Sequence, residues 1–218
     1  MSIFRTLIAQ INAGPEPYIP VEYQEVEYIE SSGTQYINTN YYPYKTKAEL
    51  QFQAPTRPTG DSQYVSGVYN VNNNRYYLVL FDPSDGYFRT CDRSANWYNG
   101  NLTSYNSNVH TIIYNDENYK VYFDGTTINK TVSDLTTQSS QPLVLFAYID
   151  STPKVAQFFT GRIMYLKLWD KDTNTMVRDL VPCYRKSDDE IGMYDRANGV
   201  FYTNAGTGTF TKGPNVIR

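Results

Sequence analysis

Phe158 to Asp170 reads FFTGRIMYLKLWD, and the reading of this stretch decides the fold. A Gly-Arg pair, Gly161 and Arg162, stands just ahead of a run in which Ile163, Tyr165, Lys167 and Trp169 alternate with Met164, Leu166, Leu168 and Asp170. Alternation over that length has the period of a strand buried on at least one face and is too regular for a helical stripe. Trp169 belongs to this alternation and is expected in the core or between sheets.

Outward from this strand, the chain after Val21 reads as strands and turns almost without interruption. Strands are expected near 25–30, 34–39, 47–53, 63–70, 75–81, 86–91, 108–115, 118–123, 126–131, 143–149, 159–169, 175–181, 190–195 and 199–203. Asp85-Gly86, Asp124-Gly125 and Asn198-Gly199 each separate two apolar runs, the strongest short-range hairpin signal. The expectation is an all-β, two-sheet antiparallel sandwich of jelly-roll type. No internal repeat or low-complexity tract is evident.

Composition agrees. Over 218 residues, Tyr 22, Phe 10 and Trp 2 supply much of the apolar mass, and Gly 13 and Pro 11 punctuate it; this suits strands better than a helix bundle. A single sandwich fills this length. The net charge of −3, from 19 basic and 22 acidic residues spread along the chain, gives no basic stripe for nucleic acid. No apolar run approaches the ~20 residues of a membrane helix, so no membrane partner is expected. Cys91 and Cys183 are the two cysteines; a single bridge between them stays open, two buried free thiols being the plainer expectation.

Residues 1–20 are expected to form a separate unit ahead of the domain at 21–218. Ser2 suits an N-cap, and Gly14 a stop before Pro15 and Pro17, for a short amphipathic helix over 2–13. Ile3, Phe4, Leu7, Ile8 and Ile11 share one face of it. A helix this short is marginal alone in water, and the GPEPYIP segment is a stiff spacer. The apolar face is therefore expected to dock on another subunit, a second copy or a larger assembly. Arg5, Thr6, Gln10 and Asn12 interrupt the apolar part, so it does not read as a secretory signal. Without secretion the sequons at Asn101 and Asn129 are accidental.

The pattern Phe159-Thr160-Gly161-Arg162-Ile163, followed by the alternating run, resembles the long strand of laminin-G-like domains in the concanavalin A-like lectin/glucanase superfamily. A second block, Val177 to Phe210, VRDLVPCYRKSDDEIGMYDRANGVFYTNAGTGTF, resembles the closing segment of such domains in bacteriophage and prophage structural proteins. Val26 to Pro43, VEYIESSGTQYINTNYYP, resembles their opening segment. The resemblance covers residues 23 to 212 or so. It implies a concanavalin A-like sandwich and a virion context.

Members of that superfamily that cut β-glucans hold paired carboxylates on one strand as E-x-D-x-x-E, and Glu25-Val-Glu27-Tyr-Ile-Glu30 comes close. Glu27 replaces the central Asp, however, and strict alternation puts Glu25 and Glu27 on one face with Ile29, an ordinary half-solvated strand. His110 is the sole histidine, with no nucleophile assembly around it, and is expected to be structural. Laminin-G-like domains often carry a rim calcium held by oxygen ligands. Asp82, Asp85, Asp92 and Asp150 stand at expected strand ends, but no local pattern fixes coordination and each suits a turn. No cofactor and no metal ligand is assigned.

Sugar recognition uses an aromatic face for a pyranose ring, flanked by groups that bond hydroxyls. Two loops have this make-up: residues 70–77, with Arg75 and Tyr76, and residues 91–101, with Asp92, Asn96, Trp97, Tyr98 and Asn99. Trp97, amid Asn, Arg and Gly, is hard to place in a core. The resulting expectation is a non-enzymatic bacteriophage virion protein of tail, baseplate or capsid surface, made in the host cytoplasm. It would display a lectin-like domain for host-surface or carbohydrate recognition. A purely structural decoration protein is the alternative, and a glycoside hydrolase a weaker third.

Overall fold

The computed structural model describes residues 19–69, 75–91, 99–132, 134–135 and 137–217, and of residues 69, 75–78, 91, 99–100 and 129–131 the backbone alone. The strands, in chain order, are β1 (Tyr23–Glu25), β2 (Ile29–Ser32), β3 (Ile37–Asn38), β4 (Thr46–Gln53), β5 (Gln63–Tyr69), β6 (Arg75–Asp82), β7 (Tyr87–Cys91), β8 (Asn99–Ser104), β9 (Val109–Tyr114) and β10 (Lys120–Phe123). They continue with β11 (Thr126–Thr131), β12 (Val144–Leu145), β13 (Tyr148–Ile149), β14 (Val155–Ala156), β15 (Thr160–Asp170), β16 (Thr175–Arg185), β17 (Ile191–Asp195), β18 (Val200–Thr203) and β19 (Thr211–Lys212).

They form two sheets. The larger has the order β11-β10-β9-β4-β15-β16-β17-β18, with β1, β2 and β19 pairing onto β16, β15 and β2. The smaller runs β14-β13-β5-β6-β7-β8, with β12 and β3 attached. Pairing is antiparallel apart from β13 with β5 and the isolated bridge Tyr64–Phe158. This is the two-sheet sandwich expected, consistent with a jelly roll. The expected architecture is corrected in one respect: the described residues contain no helix. The helix at 2–13, with Ile3, Phe4, Leu7, Ile8 and Ile11, lies outside the described residues, and the fold of the described residues is the sandwich.

The long strand β15 organises the larger sheet, because it pairs with β4 along one edge and with β2 and β16 along the other. Its inward residues Ile163, Leu166 and Leu168 are fully buried, as are Leu50 and Phe52 of β4. From the smaller sheet Val65, Val79, Phe81 and Phe88 meet them. Phe52 packs edge-on against Phe88 at 5.3 Å between ring centroids and against Phe159 at 6.3 Å, the geometry that the ring quadrupole favours.

Gly161 explains the Gly-Arg pair. A Cβ there would lie 2.4 Å from Cζ of Phe159 and 2.6 Å from the carbonyl oxygen of Gln53. The missing side chain is what lets the Phe159 ring fold under its own strand. Asp124 (φ 49°) and Gly125 (φ 76°) both take the left-handed conformation that a two-residue hairpin turn demands.

Other departures have local causes. The expected strand 25–30 is two strands, broken at Val26–Tyr28, and Val26 and Ile29 are both buried, so alternation fails there. The expected strand 143–149 is interrupted at Phe146, whose φ is 65°. The opening and closing blocks form one latch. Gln35 is buried and its Oε1 accepts from Ser31 Oγ at 2.9 Å and from the Ser32 amide at 2.9 Å. Asn204 Oδ1 accepts from the amides of Tyr36 and Gly206, and the Thr34 hydroxyl donates to the Thr207 carbonyl.

Candidate functional site

Trp169 is not core. A bulge at Met164 interrupts the alternation of β15, so that Ile163 turns inward with Leu166 and Leu168, and not with Tyr165, Lys167 and Trp169 as expected; the register places Trp169 opposite Lys47 of β4. The register of β15 against β16 shifts by one residue between Leu168 and Trp169, leaving Val177 of β16 as the unpaired residue. The Lys47 ammonium lies 5.3 Å from the indole centroid.

Three connections converge at this end of the sheet. The chain before β4 brings Lys45, the β9–β10 turn brings Glu117 and Tyr119, and the β15–β16 hairpin brings Lys171, Asp172 and Asn174; Asp134, after β11, completes a cleft of about 390 Å³. Tyr119 is 44% exposed. Its φ is +60°, and Asn115 and Asn174 are also left-handed, at 58° and 53°. Asn adopts that conformation readily, whereas a bulky aromatic residue there is strained and is held by its surroundings. The Tyr119 amide donates to the Asp116 carbonyl at 3.0 Å, its carbonyl accepts from the Val132 amide at 2.9 Å, and the Lys171 ammonium lies 3.7 Å from its ring centroid.

The charges of the cleft are matched. Lys45 pairs with Asp172 at 3.0 Å, Lys47 with Glu117 at 2.8 Å and Lys171 with Asp134 at 3.2 Å. The hydrogen bond from Lys47 holds the Glu117 carboxyl below its ordinary range, and the bond to Asp172 raises Lys45 above its own. Beside them Asp116 is also depressed: burial alone would raise it, but the amides of Lys120 and Asn118 and the Tyr122 hydroxyl more than offset that. The cleft therefore presents two aromatic side chains among fixed ammonium and carboxylate groups. Such a lining can stack on a ring and bond hydroxyls. The downward direction at Glu117 is opposite to what a general acid requires.

The residues singled out in the sequence are placed as follows. Asp92, Asn96, Trp97 and Tyr98 lie outside the described residues. Arg75 and Tyr76 open β6 and Asn99 opens β8, with their backbones described. The pairs Tyr69–Arg75 and Cys91–Asn99 stand at the same end of the smaller sheet.

Glu25 ends β1 and Glu30 lies on β2, so the three glutamates do not share a strand. Glu30 accepts from Arg162 Nε at 2.9 Å, and the guanidinium stacks 4.2 Å from the Tyr28 ring centroid. His110 is 2% exposed among Phe52, Phe88 and Phe123, with Nδ1 2.7 Å from Asp124 Oδ2. Asp82 bonds Ser84 and Arg89, Asp85 pairs with Arg89, and Asp150 caps Thr152 and Lys154. These carboxylates serve turns and two ion pairs to Arg89, and no group of three metal-ligating side chains occurs among the described residues. Cys183 is a free, buried thiol, pushed up to about 12 by burial. A wider, open depression between residues 57–62 and 82–84 has no aromatic side chain in its lining.

No protein-family model matches the chain, and no curated protein matches it. Among solved structures, a candidate carbohydrate-binding protein from Bacteroides ovatus ATCC 8483 is similar with a TM-score of 0.52 at 12% identity, over 88% of this chain. The chain spans 62% of that protein's length. At that identity the likeness establishes a shared β-sandwich fold.

Proposed function

We propose that this chain is a non-catalytic carbohydrate-binding sandwich that takes its glycan at the Trp169–Tyr119 cleft. One observation carries the reading: a half-exposed tyrosine is held at φ +60° on the rim of a cleft that a half-buried tryptophan also lines. Strained backbone of this kind concentrates at functional sites, where the surrounding structure sustains it. The matched charges favour a neutral glycan, since Lys45 and Lys47 already face Asp172 and Glu117. Likeness of fold to the candidate carbohydrate-binding protein supports the same reading.

The virion setting is part of the proposal. It rests on the resemblance of the segments Val26 to Pro43 and Val177 to Phe210, and detection of the chain in purified phage particles is its test. The sugar reading is tested by a glycan array on wild type, followed by calorimetric titration of Trp169→Ala. Loss of a stacking platform should weaken binding tenfold or more, or roughly 1.4 kcal/mol. Equal binding by both proteins would move the site to the connections before β6 and β8. No glycan bound by the wild type would leave the structural reading.

A further inference from the structure

We propose that Lys171 and Asn115 become joined by an intramolecular isopeptide bond, with Asp134 carrying the proton. Lys171 Nζ lies 2.9 Å from Asn115 Oδ1 and 3.2 Å from Asp134 Oδ1. Asn115 Nδ2 donates to that same Asp134 oxygen at 2.7 Å and to the Thr46 carbonyl at 2.9 Å. One carboxylate oxygen thus touches both the nitrogen that attacks and the nitrogen that leaves. An ordinary lysine–aspartate pair has no need of a carboxamide wedged between its partners.

The reacting groups are largely buried at the floor of the cleft. Asn115 is 1% exposed, and the side chains of Lys171 and Asp134 are 10% and 16% exposed. The Tyr119 ring lies against the amine. Burial limits hydrolysis and strengthens electrostatic contacts. Proximity does the rest: reaction is favoured when the reacting atoms sit about 3–3.5 Å apart. The carboxamide carbon is one carbonyl bond, ~1.2 Å, behind Oδ1, so the amine need shift by only on the order of 1 Å to lie over it.

The step balances. The Lys171 ammonium gives one proton to Asp134, and the amine lone pair attacks Cγ of Asn115 to form the new N–C bond. Asp134 returns the proton to the amide nitrogen, the Cγ–Nδ2 bond breaks, and ammonia leaves with the amine's second proton. Ammonium and carboxamide become a secondary amide and an ammonium ion, with no oxidant, reductant or co-reactant. The bond would staple the end of β9 to the β15–β16 hairpin, 56 residues away in sequence.

Intact-mass spectrometry of the purified, denatured full-length protein tests this. The wild type should be lighter than its sequence mass by one ammonia, and proteolysis should yield one branched peptide holding Asn115 and Lys171. Lys171→Arg and Asp134→Asn should keep the full sequence mass. A wild type at full mass overturns the proposal. So does an ammonia loss that persists in Lys171→Arg, which would mark cyclisation at an Asn-Gly step such as Asn198-Gly199. Because the wild-type mass is decisive by itself, failure of either variant to fold does not blunt the test.

Discussion

Gly161→Ala is the sharpest probe of how the long strand is packed. In a strand, alanine normally stabilises relative to glycine by about 0.5–1 kcal/mol through the entropy of the unfolded chain. Here the added Cβ would meet Phe159 Cζ at 2.4 Å and the Gln53 carbonyl oxygen at 2.6 Å. The ring can swing only into a packed core, where Phe52, Phe146 and Phe210 crowd it or its neighbours, and the carbonyl belongs to the adjoining strand. Overpacking of this kind costs about 1–3 kcal/mol, so destabilisation of that size is expected in urea unfolding followed by fluorescence. Phe159→Ala alone should cost about 3–5 kcal/mol through the cavity it leaves. In the double variant the ring no longer resists the new methyl, so the two losses should fall short of additivity by on the order of 1 kcal/mol. A Gly161→Ala protein as stable as wild type, or a strictly additive pair, would refute the account of why glycine stands there.

Other outcomes follow from the same geometry. Tyr119→Gly should unfold within about 1 kcal/mol of wild type, since relief of the left-handed strain offsets the lost ring contacts, whereas Tyr119→Ala keeps the strain and should be less stable than the glycine variant; urea midpoints give the order. Both should lose glycan binding in titration. Gln35→Ala strands the Ser32 and Thr34 amides, and a loss of about 1–3 kcal/mol is expected by thermal unfolding. Asp116 and Asp170 have carboxyls held below their ordinary range, Asp170 chiefly by the Thr173 amide. Depressed carboxyls add stability above the unfolded-state value near 4, and that stability is lost as pH falls through the lower folded value. Asp116→Asn should therefore flatten the acid limb of a pH–stability curve.

How far the sequence could be read depended on whether a signal was local. Period-two alternation and Asp-Gly or Asn-Gly turns are local, and they located β4, β9, β15 and the hairpins at Gly125 and Gly199. Strands that exist because another part of the chain pairs with them were invisible: β19 of two residues pairs with β2 across most of the sequence, and β14 of two residues with β13. The break at Val26–Tyr28 was equally hidden, because it arises where the chain passes from pairing with β16 to pairing with β15. Trp169 shows the same limit at the site. Alternation correctly put it on a strand and on the face of Tyr165 and Lys167, yet which face met the other sheet was decided by Ile163, Leu166 and Leu168, and a charged neighbour on its own face was the clue. The indole is therefore an outer-face residue because the inner face is already filled.

The left-handed tyrosine had no sequence signature at all, since nothing in NDENY marks the last residue for φ +60°. That conformation follows from closing the β9–β10 turn around Asp116, whose carboxylate accepts from the amides of Asn118 and Lys120. The turn brings Tyr119 over Lys171, and Lys171 reaches it from a hairpin more than fifty residues on. The same closure sets Asn115 against Lys171 and Asp134. Aromatic rim and reactive triad are thus consequences of one turn, which is why a substitution such as Asp116→Asn tests both: weakened capping should release Tyr119 from the rim and slow the loss of ammonia in parallel, and an effect on one without the other would separate them.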